Sequence, residues 1–172
     1  MKMQMVEEFM STVDEDSEYI QSLVDDLVKS CCETLDEYVK WVSSLLADSS
    51  IHVTNEQLDD IIMTIPTLLY FVGTQQERYG IKRDVSKASK STLYNKIYRE
   101  TIGIASVKKA AAEDATFNEN LVTTVFSSAE DTIKTKMEYA TELLQSAKKV
   151  VSRRMTESDL TRFTPNIERE KR

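Results

Sequence analysis

Three glycines and two prolines are all the turn chemistry that this 172-residue chain has. Tight turns draw on both residue types, so a few long helices are expected rather than many short elements. One histidine, His52, and two adjacent cysteines, Cys31 and Cys32, leave no ligand set for zinc. Side chains of neighbouring helical residues point about 100° apart, a poor geometry for a disulfide between the two cysteines. No run approaches the roughly 18 apolar residues of a membrane span. The opening stretch holds Glu7 and Glu8 rather than the apolar centre of a secretory signal. The expectation is a reducing cytoplasmic setting, that of the host cell if the chain is phage-encoded, with no membrane partner. No alternating strand pattern, internal repeat or low-complexity tract is visible.

Catalytic chemistry is equally scarce. Neither G-x-x-x-x-G-K-[ST] nor G-x-G-x-x-G occurs, so no phosphate-cradling loop is indicated. A cysteine nucleophile needs an imidazole, and His52 lies on a different element from Cys32. The acid pairs Asp25–Asp26 and Asp59–Asp60 fall on helices already explained as amphipathic, where paired carboxylates are solvated. The chain reads as a non-enzyme with no cofactor, no metal and no catalytic residue.

What is present is helix-forming and charged. Hydrophobic residues make up 41% and charged residues 30%, which suits an amphipathic helical protein rather than a disordered one. The net charge of −7 is unevenly spread. Residues 1–60 hold three Lys and Arg against fifteen Asp and Glu, whereas residues 61–172 hold nineteen against fourteen. The acidic end is expected to meet protein, either a basic partner or a neighbouring subunit, and the basic end an anion.

The fold class expected is all-α, elongated helical hairpins or a bundle with coiled-coil-like seams. Residues 1–13 have weak periodicity and are either loose or a short helix. A strong helix follows from about Asp16 to Ala47. Ile20, Leu23, Leu27, Cys31, Leu35, Tyr38, Val42 and Leu45 recur on it at spacings of three and four. That seam either associates with a partner or packs within the chain. A linker, DSSIHV, spans Asp48 to Val53. TNEQ then forms a capping box, with Thr54 as N-cap and Gln57 reaching back.

The next helix carries Leu58, Ile61, Ile62, Ile65, Leu68, Leu69 and Val72 as core. Pro66 either kinks it or opens a new helix. A break falls at Gly103, and a short helix runs from about Ala105 to Asp114. TFNE reads as a second capping box on Thr116 and Glu119. The last helix runs to about Met155, with Val122, Phe126, Ala129, Ile133, Ala140, Leu144, Ala147 and Val151 inward. The chain thus divides into an acidic helix over 1–50, a helical core over 54–155 and a polar tail over 156–172.

The candidate site is the basic stretch from Tyr79 to Arg99. On a helix, Ile81, Val85, Ala88 and Thr92 form one stripe, suited to a neighbouring helix. Tyr79, Arg83, Lys87, Lys90, Tyr94 and Tyr98 form the opposite face. Cations neutralise phosphates and tyrosine rings stack on unpaired bases, so this face, with Arg78 and Lys82, suits single-stranded nucleic acid. The plain alternative is a solvated basic face. Gly80 is a place where one helix could end and another begin.

Three segments carry a resemblance: LLYFVGTQQERYGIKRDVSKAS, TIGIASVKKAAAED and VFSSAEDTIKTKMEYATELLQSAKKVVSRRM. Over roughly residues 60–155 they resemble small helical phage recombination accessory proteins, in particular the recombination mediator family typified by UvsY. The resemblance implies a ring-forming helical oligomer that binds single-stranded DNA. It also implies a RecA-type recombinase and a single-strand-binding protein as partners, and helping to load that recombinase as the role. It places Lys82, Arg83, Lys87 and Lys90 in the basic DNA-binding segment. Rival readings are a helical adaptor, an inhibitor of a host defence system, or a small virion assembly protein, none with a nucleic-acid role.

Overall fold

Long amphipathic periods with few breakers give four helices and no strand among the described residues of the computed structural model. They are α1 (Lys2–Ala47), α2 (Asn55–Glu100), α3 (Ala105–Ala115) and α4 (Phe117–Arg169). The structure describes the backbone of residues 2–47 and 53–169, and the side chains of residues 14, 17–47 and 53–160. His52 and most of the DSSIHV linker lie outside the described residues. The fold is all-α, as expected, but its helices are longer than the sequence pattern suggests. Helix α1 begins at Lys2 rather than near Asp16, and α4 continues past Met155 to Arg169.

Two of the suspected breaks in α2 are absent. The helix runs through Pro66, whose missing N–H costs the Ile62 carbonyl its partner. It also runs through Gly80, which has an ordinary helical backbone. A Cβ there would sit 3.4 Å from the Glu130 carboxylate. The break at Gly103 does form. That residue has φ +145°, a conformation that costs glycine little and other residues much.

Of the two capping boxes, TNEQ is realised. The Thr54 N–H donates to Gln57 Oε1 at 2.8 Å, and the Gln57 N–H donates to Thr54 Oγ1 at 3.1 Å. TFNE is not. Thr116 instead closes α3, its Oγ1 donating to the Ala112 carbonyl at 2.9 Å and its N–H to the Glu113 carbonyl at 3.2 Å. Glu119 Oε2 is buried without a hydrogen-bond partner. A threonine hydroxyl can serve the helix before it as well as the one after it. Here only one residue separates α3 from α4, and the earlier helix takes it.

The compact units do not follow chain order. One comprises Met1–Glu33 with Gly73–Thr135, the other Thr34–Val72 with Lys136–Arg172. In the first, Val24, Val28, Cys32, Tyr79, Ala112, Val125, Ala129 and Ile133 are buried, together with Ser86 and Thr116. Over residues 23–32 the α1 seam is therefore turned by one residue from the expected line, whereas Leu35, Val42 and Leu45 are buried as expected. Leu23, Leu27 and Cys31 are only half-buried beside Val24, Val28 and Cys32. On α4, Val125 takes the inward place expected for Val122, which is exposed.

In the second unit, Leu35, Val42 and Leu45 pack with Leu58, Ile61, Ile65, Val72, Ala140, Leu144 and Ala147. Each fully buried Leu or Ile contributes roughly 1.5–3 kcal/mol. Polar ties surround this core. Tyr38 donates its hydroxyl to Asp60 Oδ2 at 2.6 Å, and Lys136 donates to both oxygens of Asp36 at 2.8 Å. Arg154 holds the start of α2 through the Val53 carbonyl at 2.6 Å and Asn55 Oδ1 at 2.9 Å. Cys32 is buried and Cys31 half-buried, with the Cys31 Sγ–H donating to the Val28 carbonyl at 3.3 Å.

Candidate nucleic-acid interface

The two faces of the Tyr79–Arg99 stretch are reversed from expectation. Ile81 and Val85 are 64% and 60% exposed, whereas Tyr79 is only 7% exposed. The inward line of α2 is Tyr79, Arg83, Ser86 and Lys90. It is polar, and each member has a partner across the unit.

The Tyr79 hydroxyl donates to the Leu27 carbonyl at 3.3 Å, and its ring lies 5.8 Å from that of Phe126. Arg83 donates to Glu130 and to Asp84, the latter at 2.9 Å. The hydrogen bond to Asp84 raises the guanidinium above its ordinary pKa, desolvation opposes it, and Glu130 adds to the rise. The same bond, with Lys87 nearby, holds the Asp84 carboxyl below the usual carboxylate range. Ser86 donates to the Glu119 carbonyl at 3.0 Å and accepts from Thr123. Lys90 donates to Asn120 Oδ1 at 2.7 Å.

Apolar periodicity misses this line because polar residues are buried wherever hydrogen-bonding partners meet them. Tyr79 and Arg83 hold helices together inside the unit. Neither presents a free ring or charge to a ligand.

The other expected site residues lie elsewhere. Lys82 is exposed, its Nζ 5.5 Å and 5.4 Å from the Tyr79 and Phe126 ring centres, within cation–π range. Arg78 is exposed and donates to Gln75 at 3.4 Å, and Lys87 is exposed. Tyr94 and Tyr98, both half-buried, stack with ring centres 6.1 Å apart and planes 14° from parallel.

The tyrosine pair marks where basic and aromatic groups do converge, at the corner between α2 and α3. The reversal at Gly103 brings α3 back so that Lys108 Nζ stands 6.0 Å from the Tyr98 ring. Tyr94, Asn95, Tyr98, Ala105, Ser106 and Lys109 line an open pocket of about 450 Å³. Asn95 also borders a second pocket of about 490 Å³, with Thr92, Lys96, Arg99 and Glu100. At the tip, Ile102 is 96% exposed.

Lys108, Lys109 and Ser106 were invisible as site residues in sequence. They follow the break, and only the chain reversal places them beside Tyr94 and Tyr98. The signal available was the KK pair soon after the glycine that follows a basic helix. The corner can do two things chemically: neutralise closely spaced anions and stack a planar ring.

Fold and corner together define an all-α protein of four helices among the described residues, with a basic, aromatic corner in one unit. No helix among the described residues is long and apolar enough to cross a membrane. No group of three or more His, Cys, Asp or Glu among them could hold a metal. No protein-family model, no curated protein and no solved structure matches the chain.

Proposed function

We propose that this protein is a non-catalytic, single-stranded DNA-binding accessory protein of phage-type recombination or replication. It acts as an oligomer that helps load a recombinase, with that recombinase or a single-strand-binding protein as its partner. The observation that supports this best is the α2–α3 corner. There the stacked Tyr94 and Tyr98 lie beside Lys108 and Lys109, and Asn95 joins their pocket to an adjoining one bordered by Lys96, Arg99 and the acid Glu100. Cations tracking a backbone beside a stacking platform are what sequence-tolerant strand binding requires. The contact is thus centred toward the end of the basic stretch rather than on Tyr79 and Arg83.

Fluorescence anisotropy with labelled oligonucleotides at several salt concentrations tests this reading. Each phosphate neutralised contributes about 0.7 to the slope of log affinity against log salt, so the four cations supply roughly 2–3 if all engage. The double variant Lys96→Glu, Arg99→Glu changes two exposed residues, and is expected to weaken binding to all sequences and to flatten that slope. Tyr98→Ala is expected to cost about 1–3 kcal/mol of affinity. A parent with no affinity at low salt overturns the reading, as does a folded double variant that binds as tightly as the parent.

A second reading has its own observation. Met63, Tyr70 and Phe71 of α2 are exposed in the other unit, the kind of apolar patch that docks protein. It supports an adaptor, an inhibitor of a host defence system or an assembly protein, should strand binding prove absent.

A further inference from the structure

The stripe expected to pack on a neighbouring helix has no neighbour within its unit. Ile81 and Val85 are exposed, and so are Ala88 and Thr92, the next residues on the same line of α2. The spacing alternates four and three, as the two seam positions of a heptad do. Ile81 and Ala88 take the d position, Val85 and Thr92 the a position. The inward line of the helix, Tyr79 to Lys90, already has its partners on the opposite side. Helix α2 therefore has two seams, and only one is closed within the unit.

The flanks of the open seam indicate what closes it. Glu77, Asp84 and Ser91 occupy the g position, one residue before each a. Lys82, Ser89 and Lys96 occupy e, one residue after each d. One flank is acidic and the other basic. When two such helices run parallel and in register, each g faces the e of the other helix five residues further on. Glu77 then meets Lys82 of the second copy, Asp84 meets Ser89, and Ser91 meets Lys96. An antiparallel pair sets g against g and e against e, acid against acid and lysine against lysine. Arg78 and Arg99, at the a position beyond either end, bound the apolar part of the seam to residues 81–92.

We infer that this face of α2 is an interface closed by the same face of a second copy of the chain, parallel and in register. The inference rests on the self-association part of the proposed function and is independent of strand binding.

Two single substitutions, Val85→Cys and Thr92→Cys, test it. Both positions are exposed, and the parent, with Cys31 half-buried and Cys32 buried, sets the background. Under mild oxidation each variant is expected to give a covalent dimer on a non-reducing gel where the parent does not. In an antiparallel pair only a position on the two-fold axis meets itself, so cross-linking at one site alone overturns the proposal. Cross-linking at neither site overturns it too, and leaves the face to a different protein.

Light scattering supplies the second measurement. Ile81→Glu combined with Val85→Glu is expected to lower the particle mass while leaving the circular dichroism of the protomer unchanged. An unchanged mass, or a parent that is already monomeric, counts against the interface. Anisotropy on the same double variant reports on strand binding separately, so a failure of one reading is not mistaken for a failure of the other.

Discussion

At Tyr79 a hydroxyl helps to hold one face of α2 inward. Its bond to the Leu27 carbonyl and its ring contact with Phe126 hold it inward, although tyrosine beside lysines reads as a surface pattern. Tyr79→Phe removes the hydroxyl and keeps the ring. It is expected to lower stability by about 0.5–1.5 kcal/mol in denaturant unfolding and to leave strand affinity unchanged. A loss of affinity in the folded variant would return the residue to the interface. Tyr38 offers a pH signature in the other unit. Desolvation first, and then the hydrogen bond to Asp60, push its pKa up to about 12 from 10. The folded state thus holds the phenolic proton more tightly than the unfolded state. The stabilisation is complete below pH 10 and is lost as pH rises through about 12. Comparing Tyr38→Phe with the parent from pH 9 to about 12 should show a stability difference that shrinks across that window.

Helix α2 accounts for most of what sequence pattern reads wrongly at the scale of an element. Pro66 and Gly80 are both helix breakers by propensity, and neither breaks it. A Cβ at Gly80 would stand at ordinary contact distance, 3.4 Å, from the flexible end of Glu130, so the structure shows no steric need for glycine there. Pro66 has no compensation visible in the structure either. Its ring is exposed and the Ile62 carbonyl is left without its helical N–H. Pro66→Ala is therefore expected to stabilise the protein by about 1–3 kcal/mol, measured by urea unfolding. A neutral or destabilising result would mean that the proline ring itself matters to packing. The caps show the same division. TNEQ forms, with Thr54 and Gln57 each bonding the other's N–H at the start of α2. TFNE fails because the end of α3 claims Thr116.

For the whole molecule the charge asymmetry remains the dominant sequence signal, but α1 is not a detachable acidic arm. Val24, Val28 and Cys32 are core in one unit, and Leu35, Val42 and Leu45 in the other. Deleting residues 1–50 removes all six and is unsuited to asking what the acids do. Neutralising exposed acids is the better probe. Glu18→Gln, Asp26→Asn and Glu33→Gln together are expected to leave strand affinity unchanged, or to tighten it at low salt as repulsion of the phosphates falls. A marked loss of affinity in the anisotropy titration would show that the acidic helix takes part in the contact.

The sequence by itself determined that the chain is helical, roughly where its helices lie, and that the turn at Gly103 separates two of them. These follow from local chemistry: propensity, period and the rarity of residues that permit turns. Only the tertiary structure decided which face of α2 points inward and which residues gather at the α2–α3 corner. A polar inward line of Tyr79, Arg83, Ser86 and Lys90 is stable only because Leu27, Glu130, Glu119 and Asn120 meet it from α1 and α4. Those partners lie far away in sequence. Lys108 likewise joins Tyr98 only through the chain reversal. Periodicity reports how a helix divides its side chains between two sides, and only the groups packed against it determine which side is buried.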